Sequence, residues 1–584
     1  SCYRGTLQPI LTLDKTQKIS ASNDSDTCFI TPPECDPTYK YRSYNGSCNN
    51  LKHPAWGMLH TAFVRLFPPR YSDGVELPPV ASDGSELPNA RLLTSSLFQD
   101  EDIPDNVTLI VAQYAQFVAH DFAVGYPKTG VDDCCASDDP LICISIQIPE
   151  NDPFYSQFDA KCLRVTRTRT TLTGNCDAGP KQQINGLSHG LDGSQIYGSD
   201  EETANYLREH KLGRLVVREG PGDRPFLPSN GSCYQSDVCY VAGETRVNQN
   251  TQLTVLHTMF VREHNRIADL LSALHPSWDD ETVYQEARSI VVAEYLHTIY
   301  NEFLPNILPD EFMNEHELKS RTSGYHKYDE DIPNIVISSF STPTFRIFHS
   351  ALQGHIAMYN YQLDITRHIN LTDYMNSPGI LEEENNFDEL ILGFVTQPMQ
   401  TIDTYYTSQI DGKLFHFGRP YGADLNALDI QRSRDHGIAS YVTVLYACRG
   451  IEVKTFEDLS TIWPAENIEK VRQFYKAVED IDLFVGANFE RKVEGHRLPP
   501  VFQCIIGEQF YRWKNGDRFW YEVEGQPHSF TPDQLNEIRK VTLSRIVCDT
   551  SDNIVNMTKN SFAPPSEENP VVPCDEIPAI DITK

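Results

Sequence analysis

An apolar stretch, Leu109–Tyr126, contains the first side chains that could take part in catalysis. Its sequence is LIVAQYAQFVAHDFAVGY. The stretch predicts a helix in which Gln116 and His120, four positions apart, share one face, while Asp121 lies about 100° around the axis. An imidazole can accept and return a proton near neutral pH. A single histidine in an apolar helix is, however, more often a hydrogen-bonded core residue, so its interpretation depends on partners elsewhere in the chain.

The composition restricts the class of protein. The chain has 584 residues, of which 40% are hydrophobic and 22% charged, so it is an ordinary globular sequence that can bury a large core. Lys and Arg total 49 against 81 Asp and Glu, a formal net charge of -32, so nucleic acid and anionic membrane surfaces are not expected as partners. No apolar run approaches the roughly 20 residues that span a bilayer, and we expect a mature, already processed, soluble protein.

Fifteen cysteines are typical of an oxidising compartment, so we expect a secreted protein. No repeated C-x-x-C and no paired histidines at finger spacing occur, so a zinc–cysteine site is not expected. An odd cysteine must be left over, and we expect it to be Cys176, either free or joining two chains. Short spacings predict local disulfides within the sets Cys35/Cys48, Cys134/Cys135/Cys143/Cys162, Cys233/Cys239, Cys448/Cys504 and Cys548/Cys574. Sequons for N-glycans, which agree with secretion, occur at Asn23, Asn45, Asn106, Asn230, Asn370 and Asn556.

Long helices are predicted to position the chemical residues. Residues 251–274 have apolar residues at spacings of three and four, and a second long helix is expected over 280–300. Pro343, well placed in a first helical turn, opens a predicted helix through residue 360 that puts Arg346 and His349 one turn apart. The remainder is predicted to alternate polar loops with helices at 388–396, 434–448, 465–477 and 531–546.

The composition along the chain also predicts the domain organisation. Residues 1–34 are rich in Ser, Thr and Asp and predict an N-terminal extension, tied down by a disulfide between Cys2 and Cys28. From Cys35 onward there is no internal repeat and no low-complexity linker, so residues 35–584 are expected to form one large, mainly α-helical domain.

Seven segments together resemble the animal haem peroxidases, the family of myeloperoxidase, lactoperoxidase and the arthropod chorion-type and peroxinectin-type enzymes. They occur in the family's order over residues 35 to about 575, and the likeness is greatest to the secreted arthropod members: CDPTYKYRSYNGSCNN, AQFVAHD, LSHGLDGSQIYGS, AGETRVNQN, REHNRIA, FRIFHSALQGH and LDIQRSRDHG. The resemblance implies a mainly α fold with few short strands and haem in a central helical core. It also implies a secreted peroxidase that reduces hydrogen peroxide and oxidises a second substrate through a ferryl intermediate.

The resemblance assigns the distal side, where peroxide would bind. His120 stands where the family has its distal histidine, whose neutral imidazole takes a proton from the inner peroxide oxygen and returns it to the outer one. Gln116, one helical turn earlier, would hydrogen-bond a ligand or water over the iron. Arg246 matches the distal arginine, whose positive charge stabilises the negative charge on the leaving oxygen.

The resemblance assigns the proximal side as well. His349 matches the axial ligand of the haem iron. At the position of its hydrogen-bonding partner, where mammalian members carry Asn, this chain has Asp429, which would give the imidazole imidazolate character and lower the ferric/ferrous potential. Arg346 and Arg432 match positions that pair with haem propionates.

One structural calcium ion is also implied by the resemblance. Its ligands here would be Asp121, next to the distal histidine, and residues of a short loop: Ser188, Gly190 through its carbonyl, Asp192 and Ser194. An oxygen-only set suits a hard cation. The alternative interpretation is an Asx-type turn without an ion.

Two departures from the mammalian pattern narrow the expected activity. Mammalian members attach haem by ester bonds from an Asp just before the distal histidine and a Glu three residues after the distal arginine. These positions are Ala119 and Gln249 here, and the position of the sulfonium-forming Met of myeloperoxidase is Asn250. We therefore expect non-covalent haem b with Gln249 beside it. The oxidised states should be weaker oxidants, so phenols, tyrosine, iodide or thiocyanate are expected as reductants rather than chloride.

Two other functions are compatible with the fold that is implied. Cyclooxygenases use a radical Tyr three residues before the proximal histidine, but this chain has Arg346 there, which disfavours a fatty-acid dioxygenase. Peroxinectin-type proteins act as adhesion ligands, so a binding protein with secondary or no peroxidase activity is the alternative. No Arg-Gly-Asp occurs, and every distal catalytic position is filled.

Overall fold

The computed structural model describes residues 33–171 and 179–584. Within these ranges helices predominate, as the resemblance predicted. The α-helices are α1 (Ala90–Leu97), α2 (Ile110–Phe122), α3 (Ser194–Tyr197), α4 (Glu201–Tyr206), α5 (Thr251–Leu274), α6 (Asp280–Thr298), α7 (Leu304–Ile307), α8 (Asp310–Glu315), α9 (Ser338–Ser341), α10 (Asn386–Phe394), α11 (Leu425–Asp435), α12 (Tyr441–Arg449), α13 (Ala465–Val471), α14 (Leu483–Asn488), α15 (Pro500–Gly516), α16 (Pro532–Ile538) and α17 (Leu543–Thr550).

The strands are short and form separate antiparallel pairs in the described chain. The pairs are β1 (Pro104–Thr108) with β8 (Pro398–Gln400), β2 (Ile146–Gln147) with β3 (Cys162–Leu163), β4 (Arg218–Glu219) with β5 (Pro225–Phe226), β6 (His355–Tyr359) with β7 (Ile365–Asn370), β9 (Asp411–Leu414) with β10 (Ala423–Asp424) and β11 (Asn556–Thr558) with β12 (Val571–Pro573). A 3-10 helix, Thr344–Ala351, precedes β6.

The centre of the fold is a pair of long helices, α5 and α6, against which α2 packs. Asn250 caps α5 and Asp279 caps α6, each accepting a hydrogen bond from a backbone N–H in the first turn. Phe117 of α2 stacks on Phe260 of α5 with ring centroids 5.1 Å apart. Because α2 is buried on almost every side, its polar side chains need partners in the interior.

The predicted helices at 251–274 and 280–300 are confirmed as α5 and α6, and the one predicted at 109–126 is α2, which ends earlier, at Phe122. The helix predicted from Pro343 was wrong in its second half. Residues 355–359 form β6, which pairs with β7. The 3-10 helix ends at Ala351, before Gly354, where an added Cβ would lie 2.1 Å from Thr407 Oγ1. The strand is then held by close packing on α10, where Gly393 approaches the carbonyl oxygen of Ala357.

Later helices were also predicted imperfectly. The predicted helix at 434–448 is two helices, α11 and α12, because Gly437 adopts a positive φ of 58° between them. The helix at 465–477 ends at Val471, and Thr542 caps a new helix within 531–546. Helix α10 is close to the prediction at 388–396. Helix α15 was predicted as loop, because it is buried on most sides and shows no single apolar face.

Disulfides join each set of cysteines that short spacing predicted. They are Cys35–Cys48, Cys134–Cys143, Cys135–Cys162, Cys233–Cys239, Cys448–Cys504 and Cys548–Cys574. The predictions for Cys2, Cys28, Cys176 and the sequon at Asn23, and nearly all of the predicted extension 1–34, lie outside the described residues.

The surface agrees with parts of the sequence interpretation. Asn106, Asn230 and Asn556 are exposed, whereas Asn45 and Asn370 are half-buried. Among the described residues, none of the helices combines the length and apolarity needed to cross a bilayer. Buried apolar side chains from Trp56 to Ile577 form one connected core, and the division at residue 35 stays a prediction.

Candidate functional site

A cavity of about 1010 Å³, open in part to solvent, lies between α2, the segment before α5 and the 3-10 helix Thr344–Ala351. His120 and His349 both line it, although they are more than two hundred positions apart in the sequence. Alanine, leucine and phenylalanine side chains form most of the wall. Of the described residues that line the cavity, none is Asp or Glu. The space is therefore apolar, with a few basic and amide groups directed at it.

His120 is fully enclosed, and its buried Nδ1 has no hydrogen-bond partner in the described structure. The nearest carboxylate oxygen, Glu244 Oε2, lies 3.7 Å from Nδ1, too far for a hydrogen bond. Burial lowers the pKa of His120 well below its usual value, and the charges of Arg246 and His257 act in the same direction. The imidazole is therefore neutral at neutral pH and able to accept a proton.

Glu244 fixes the position of Arg246. Its Oε1 accepts a hydrogen bond of 2.6 Å from Arg246 Nε, and its Oε2 accepts one of 2.8 Å from the Arg246 backbone N–H. Arg246 Nη2 also donates to the carbonyl of Ala123, just beyond α2, at 3.0 Å. Gly243 lets this segment pass close to Ser194, whose carbonyl oxygen would lie 2.2 Å from an added Cβ. Sequence reasoning assigned no role to Glu244. The pattern that could have identified it is an acidic residue two positions before the predicted distal arginine.

Amide side chains cover another part of the wall. Gln116, Gln249 and Asn250 all line the cavity, together with Ala119. Asn250 donates from Nδ2 to Gln116 Oε1 at 2.7 Å, while its Oδ1 caps α5 by accepting from the Leu253 N–H. The α5 cap thus fixes the orientation of Gln116, which leaves the Gln116 amide nitrogen as a donor toward the cavity.

His349 is held on the opposite element by a direct hydrogen bond. Its Nδ1 lies 2.6 Å from Asp429 Oδ2, slightly shorter than an ordinary N–H···O bond. Asp429 lies on α11 and is buried, while the His349 side chain is partly exposed to the cavity. An ionised carboxylate can only accept, so Nδ1 carries the proton and Nε2 keeps a free lone pair.

The two predicted propionate partners differ in placement. Arg346 lines the cavity, and its guanidinium makes no hydrogen bond or ion pair with any described residue. Burial lowers the pKa of Arg346, Asp429 opposes this shift, and the charges of Arg246 and Arg432 add to it. Arg432 is not on the cavity wall, and its Nη1 donates to Asp435 Oδ2 at 2.7 Å. The structure therefore brings one of the two arginines to the cavity as an unpaired cation.

Asp121 faces away from the cavity, toward the loop that leads into α3. Its carboxylate accepts from the Ser194 N–H at 2.6 Å, from the Ser194 hydroxyl at 2.9 Å and from the Gly193 N–H at 3.1 Å. Asp192 Oδ1 accepts from the Ser188 hydroxyl at 3.0 Å. Both carboxyls are buried, which raises both pKa values, and for Asp121 the charge of Asp192 adds to the rise.

This loop therefore concentrates oxygen atoms around two buried acids. A Cβ on Gly190 would lie 3.6 Å from Asp192 Oδ2, which places the Gly190 backbone beside the same acid. The described residues contain no cluster of three or more His, Cys, Asp or Glu that could hold a metal, so any cation here would depend on hydroxyl and carbonyl oxygens as well.

Comparisons with known proteins agree with this geometry. The family model described as animal haem peroxidase matches residues 41–562, which include both histidines. A Drosophila melanogaster protein named peroxidase is 38% identical over 583 residues, covering 96% of this chain and 84% of the relative. Chorion peroxidase of the same organism is 33% identical, covering 90% of this chain and 67% of the relative. The solved structure of peroxidase A from Dictyostelium discoideum has a TM-score of 0.76 and 28% identity, covering 90% of this chain and all of that one.

Proposed function

The chain belongs to the animal haem peroxidase family and is a haem-dependent peroxidase, and from this premise we propose that haem b lies non-covalently between His120 and His349. We further propose that phenols, tyrosine, iodide or thiocyanate are the reductants. The observation that carries the proposal is that the two imidazoles line one apolar cavity from different elements of the chain.

The residues present fit a haem group. Apolar side chains suit the faces of a porphyrin, and the free Nε2 of His349 suits an axial ligand to iron. The unpaired guanidinium of Arg346 needs an anion, which a haem propionate supplies. Arg432 is proposed to support a propionate through the charge that it adds near Arg346.

Bound haem supplies an iron centre at which peroxide is reduced and reductants are then oxidised. His349 would hold that centre, and Asp429 would keep the imidazole oriented and electron-rich by accepting its Nδ1–H. The short separation of 2.6 Å supports a charge-assisted bond that strengthens imidazolate character.

His120 would move the proton. Since it is neutral, it can accept a proton from peroxide at Nε2, the ring nitrogen other than the one near Glu244, and return that proton to the departing oxygen. Arg246, fixed by Glu244, would stabilise negative charge on the departing oxygen. Gln116, oriented by Asn250, would orient peroxide or water by hydrogen bonding.

The cavity wall supports non-covalent binding. An ester bond needs a carboxylate, and the described wall has none, since Ala119 and Gln249 occupy the positions that carry acids in mammalian members. A haem without electron-withdrawing linkages, with Asp429 behind His349, would be a weaker oxidant. This supports easily oxidised reductants over chloride.

We propose calcium for the loop beside Asp121. Two buried carboxylates whose charges repel each other are costly without a cation, and Ser188, Gly190 and Ser194 can add hydroxyl and carbonyl oxygens. A cation there would hold α2, and so His120, against the loop. Six disulfides in the described chain and the exposed sequons at Asn106, Asn230 and Asn556 support an extracellular, glycosylated protein.

The test combines haem extraction with turnover. Acidified organic solvent should remove all haem from the denatured wild-type polypeptide, and peroxide-dependent rates should be higher for guaiacol, tyrosine, iodide and thiocyanate than for chloride. Gln249→Glu is the matched variant, since it restores a carboxylate on the wall and should retain some haem after peroxide turnover. Haem that stays with the wild-type chain, or chloride oxidation as fast as that of iodide, would show the proposal to be wrong.

A further inference from the structure

A line of contacting aromatic side chains leads away from the cavity. Phe122, on the cavity wall, contacts Trp513 with ring centroids 5.0 Å apart. Trp513 contacts Phe510 at 5.1 Å, and Phe510 contacts Tyr300 at 5.7 Å. Trp513 and Tyr300 are both fully buried, so this segment is sealed from water. Indole and phenol side chains can be oxidised by one electron, and the phenylalanine rings between them keep the gaps short.

The line continues to a second pocket. Tyr300 contacts Trp520 at 4.7 Å, and Trp520 contacts Tyr521 at 4.8 Å. Tyr521 lines a second pocket, small and open in part to solvent, that shares no residue with the wall of the large cavity. An aromatic path therefore joins the proposed haem site to a remote pocket.

Trp520 and Tyr521, at the far end of the aromatic line, each lie beside a group that can accept a proton. Trp520 donates from its indole N–H to Glu522 Oε2 at 3.2 Å. The Tyr521 oxygen lies 3.0 Å from His297 Nδ1. A phenol loses its proton when it is oxidised, so a base within hydrogen-bond reach is what a redox-active tyrosine needs.

The Tyr521 hydroxyl has two neighbours within hydrogen-bond distance. Its oxygen lies 3.0 Å from His297 Nδ1 and 3.1 Å from the Ser320 hydroxyl oxygen, to which it can donate. Asn301 Nδ2 lies 3.0 Å from both His297 Nδ1 and the same Ser320 oxygen. Of the two neighbours of the Tyr521 oxygen, the imidazole is the stronger base, so His297 is the group that can take the phenol proton.

The pocket around Tyr521 has features that suit an aromatic ligand. Phe519 and Phe530 line it, as do the guanidinium-bearing Arg42 and Arg288. Phe530 is half-buried, which leaves an opening to solvent. The rings can bind a phenol by stacking, while the two guanidinium groups already contact Asp517 and the ring of Tyr44.

We propose that Tyr521 is a second oxidation site, at which a phenol in this pocket is oxidised by electron transfer along the aromatic line to the haem. This inference rests on the proposed function, and it assigns phenols, free or as tyrosine side chains of a macromolecule, to a site apart from the haem cavity. Small anions would still react at the haem itself.

The step balances in electrons and protons. After peroxide has been reduced, Tyr521 would give one electron through Trp520, Tyr300 and Trp513 to the haem group that His349 would hold, and the Tyr521 O–H bond would break as its proton moves to His297 Nδ1. The resulting phenoxyl radical takes one electron from the bound phenol, and His297 returns its proton to the Tyr521 oxygen. The bound phenol loses its own proton to solvent and leaves as a radical.

The test maps the radical and does not depend on turnover alone. Holoprotein is treated with peroxide and a nitrone spin trap without reductant, digested and analysed by mass spectrometry. The wild type should carry an adduct on Tyr521, and Tyr521→Phe should not. In parallel, oxidation of a tyrosine-bearing polymer too large for the cavity should fall by about tenfold or more in Tyr521→Phe, while free tyrosine falls less and iodide is unchanged.

Tyr446→Phe is the matched control, because this tyrosine is 61% exposed and lies off the aromatic line. It should keep the adduct on Tyr521 and both rates. Wild-type protein that oxidises iodide while Tyr521 stays unlabelled overturns this inference alone, as does a polymer rate that Tyr521→Phe leaves unchanged. Wild-type protein that oxidises neither iodide nor the polymer overturns the proposed function as well.

Discussion

The two histidines on the cavity wall are held in opposite ways. His349 is fixed by a hydrogen bond of 2.6 Å to Asp429, whereas the buried Nδ1 of His120 has no hydrogen-bond partner in the described structure. Near His120 the carboxylate of Glu244 is used for Arg246 instead, and it stays 3.7 Å from the imidazole. One acid therefore bonds directly to a histidine, and the other acid bonds to an arginine beside the second histidine.

This difference separates two chemical tasks. A ligand to iron benefits from a strong, permanent second partner that holds its tautomer and increases electron donation. A residue that accepts and returns a proton needs a neutral form and a pKa low enough for easy release. The same residue type thus serves two roles because burial and hydrogen bonding differ on the two sides of the cavity.

His120→Ala should reduce peroxidase activity more than any other substitution considered for the two histidines and their partners. Loss of the proton acceptor should reduce kcat/KM for peroxide by about 10²–10⁴-fold, while haem content stays close to that of the wild type. Steady-state rates at fixed haem concentration measure the change. His355→Ala, which removes an exposed histidine on β6, is the control and should retain full activity. Normal turnover by His120→Ala would exclude the proton-transfer role.

Asp429→Asn should have the next largest effect, and of a different kind. The amide can still accept the Nδ1–H of His349 but cannot add negative charge, so the ferric/ferrous potential should rise and activity should fall about 10–100-fold. Spectroelectrochemical titration measures the potential. His120→Ala should leave that potential nearly unchanged, so equal shifts in both variants would contradict the separation of roles.

The pH profile tests how Glu244 and His120 interact. Because the folded pKa of His120 is depressed, the active neutral form persists below pH 6.5, and activity should be lost only as pH falls through the lower folded pKa. Glu244→Gln removes a nearby negative charge and leaves Arg246 uncompensated, so the acid limb of kcat/KM should move to still lower pH and the rate should fall by about tenfold. Glu490→Gln, a buried acid away from the cavity, should leave the limb in place. An acid limb that moves to higher pH in Glu244→Gln would refute the proposed effect of Glu244 on His120.

Calcium binding by the loop beside Asp121 should produce the smallest effect. Removing bound calcium with a chelator should lower Tm by a few degrees, because a ligand that binds only the folded state stabilises it. Asp121→Asn should abolish the response to added calcium. Asp200→Asn, at an exposed helix cap that Asn also forms, should keep it. Equal responses from both variants would argue for a simple hydrogen-bonded turn.

The sequence named several residues that meet in one cavity, whereas it predicted some local elements incorrectly. His120 and Gln116 lie four positions apart on one predicted helix, and the segments around Arg246 and His349 matched the family, so these residues could be named in advance. The helix expected through residue 360 ends at Ala351, and residues 355–359 instead pair with β7 and pack on α10, which are segments outside the predicted helix. Periodicity in the sequence carries no record of such contacts.

Glu244 and Tyr521 show a second limit of sequence reasoning. Their partners, Arg246 with His120 and His297 with Asn301, are found only once distances are known. Helix α15 was missed for a related reason, since a helix buried on most sides has no amphipathic pattern. Contacts between distant segments supplied what residue type and spacing could not.

Absorption spectra during haemin titration give the sharpest test of the cavity between the two histidines. Wild-type apoprotein should bind one haemin per chain with the Soret spectrum of a histidine-ligated haem. His349→Gly should lose that spectrum, and added imidazole should restore it by occupying the space of the missing side chain. A His349→Gly protein with the wild-type spectrum and no response to imidazole would mean that the iron is held elsewhere.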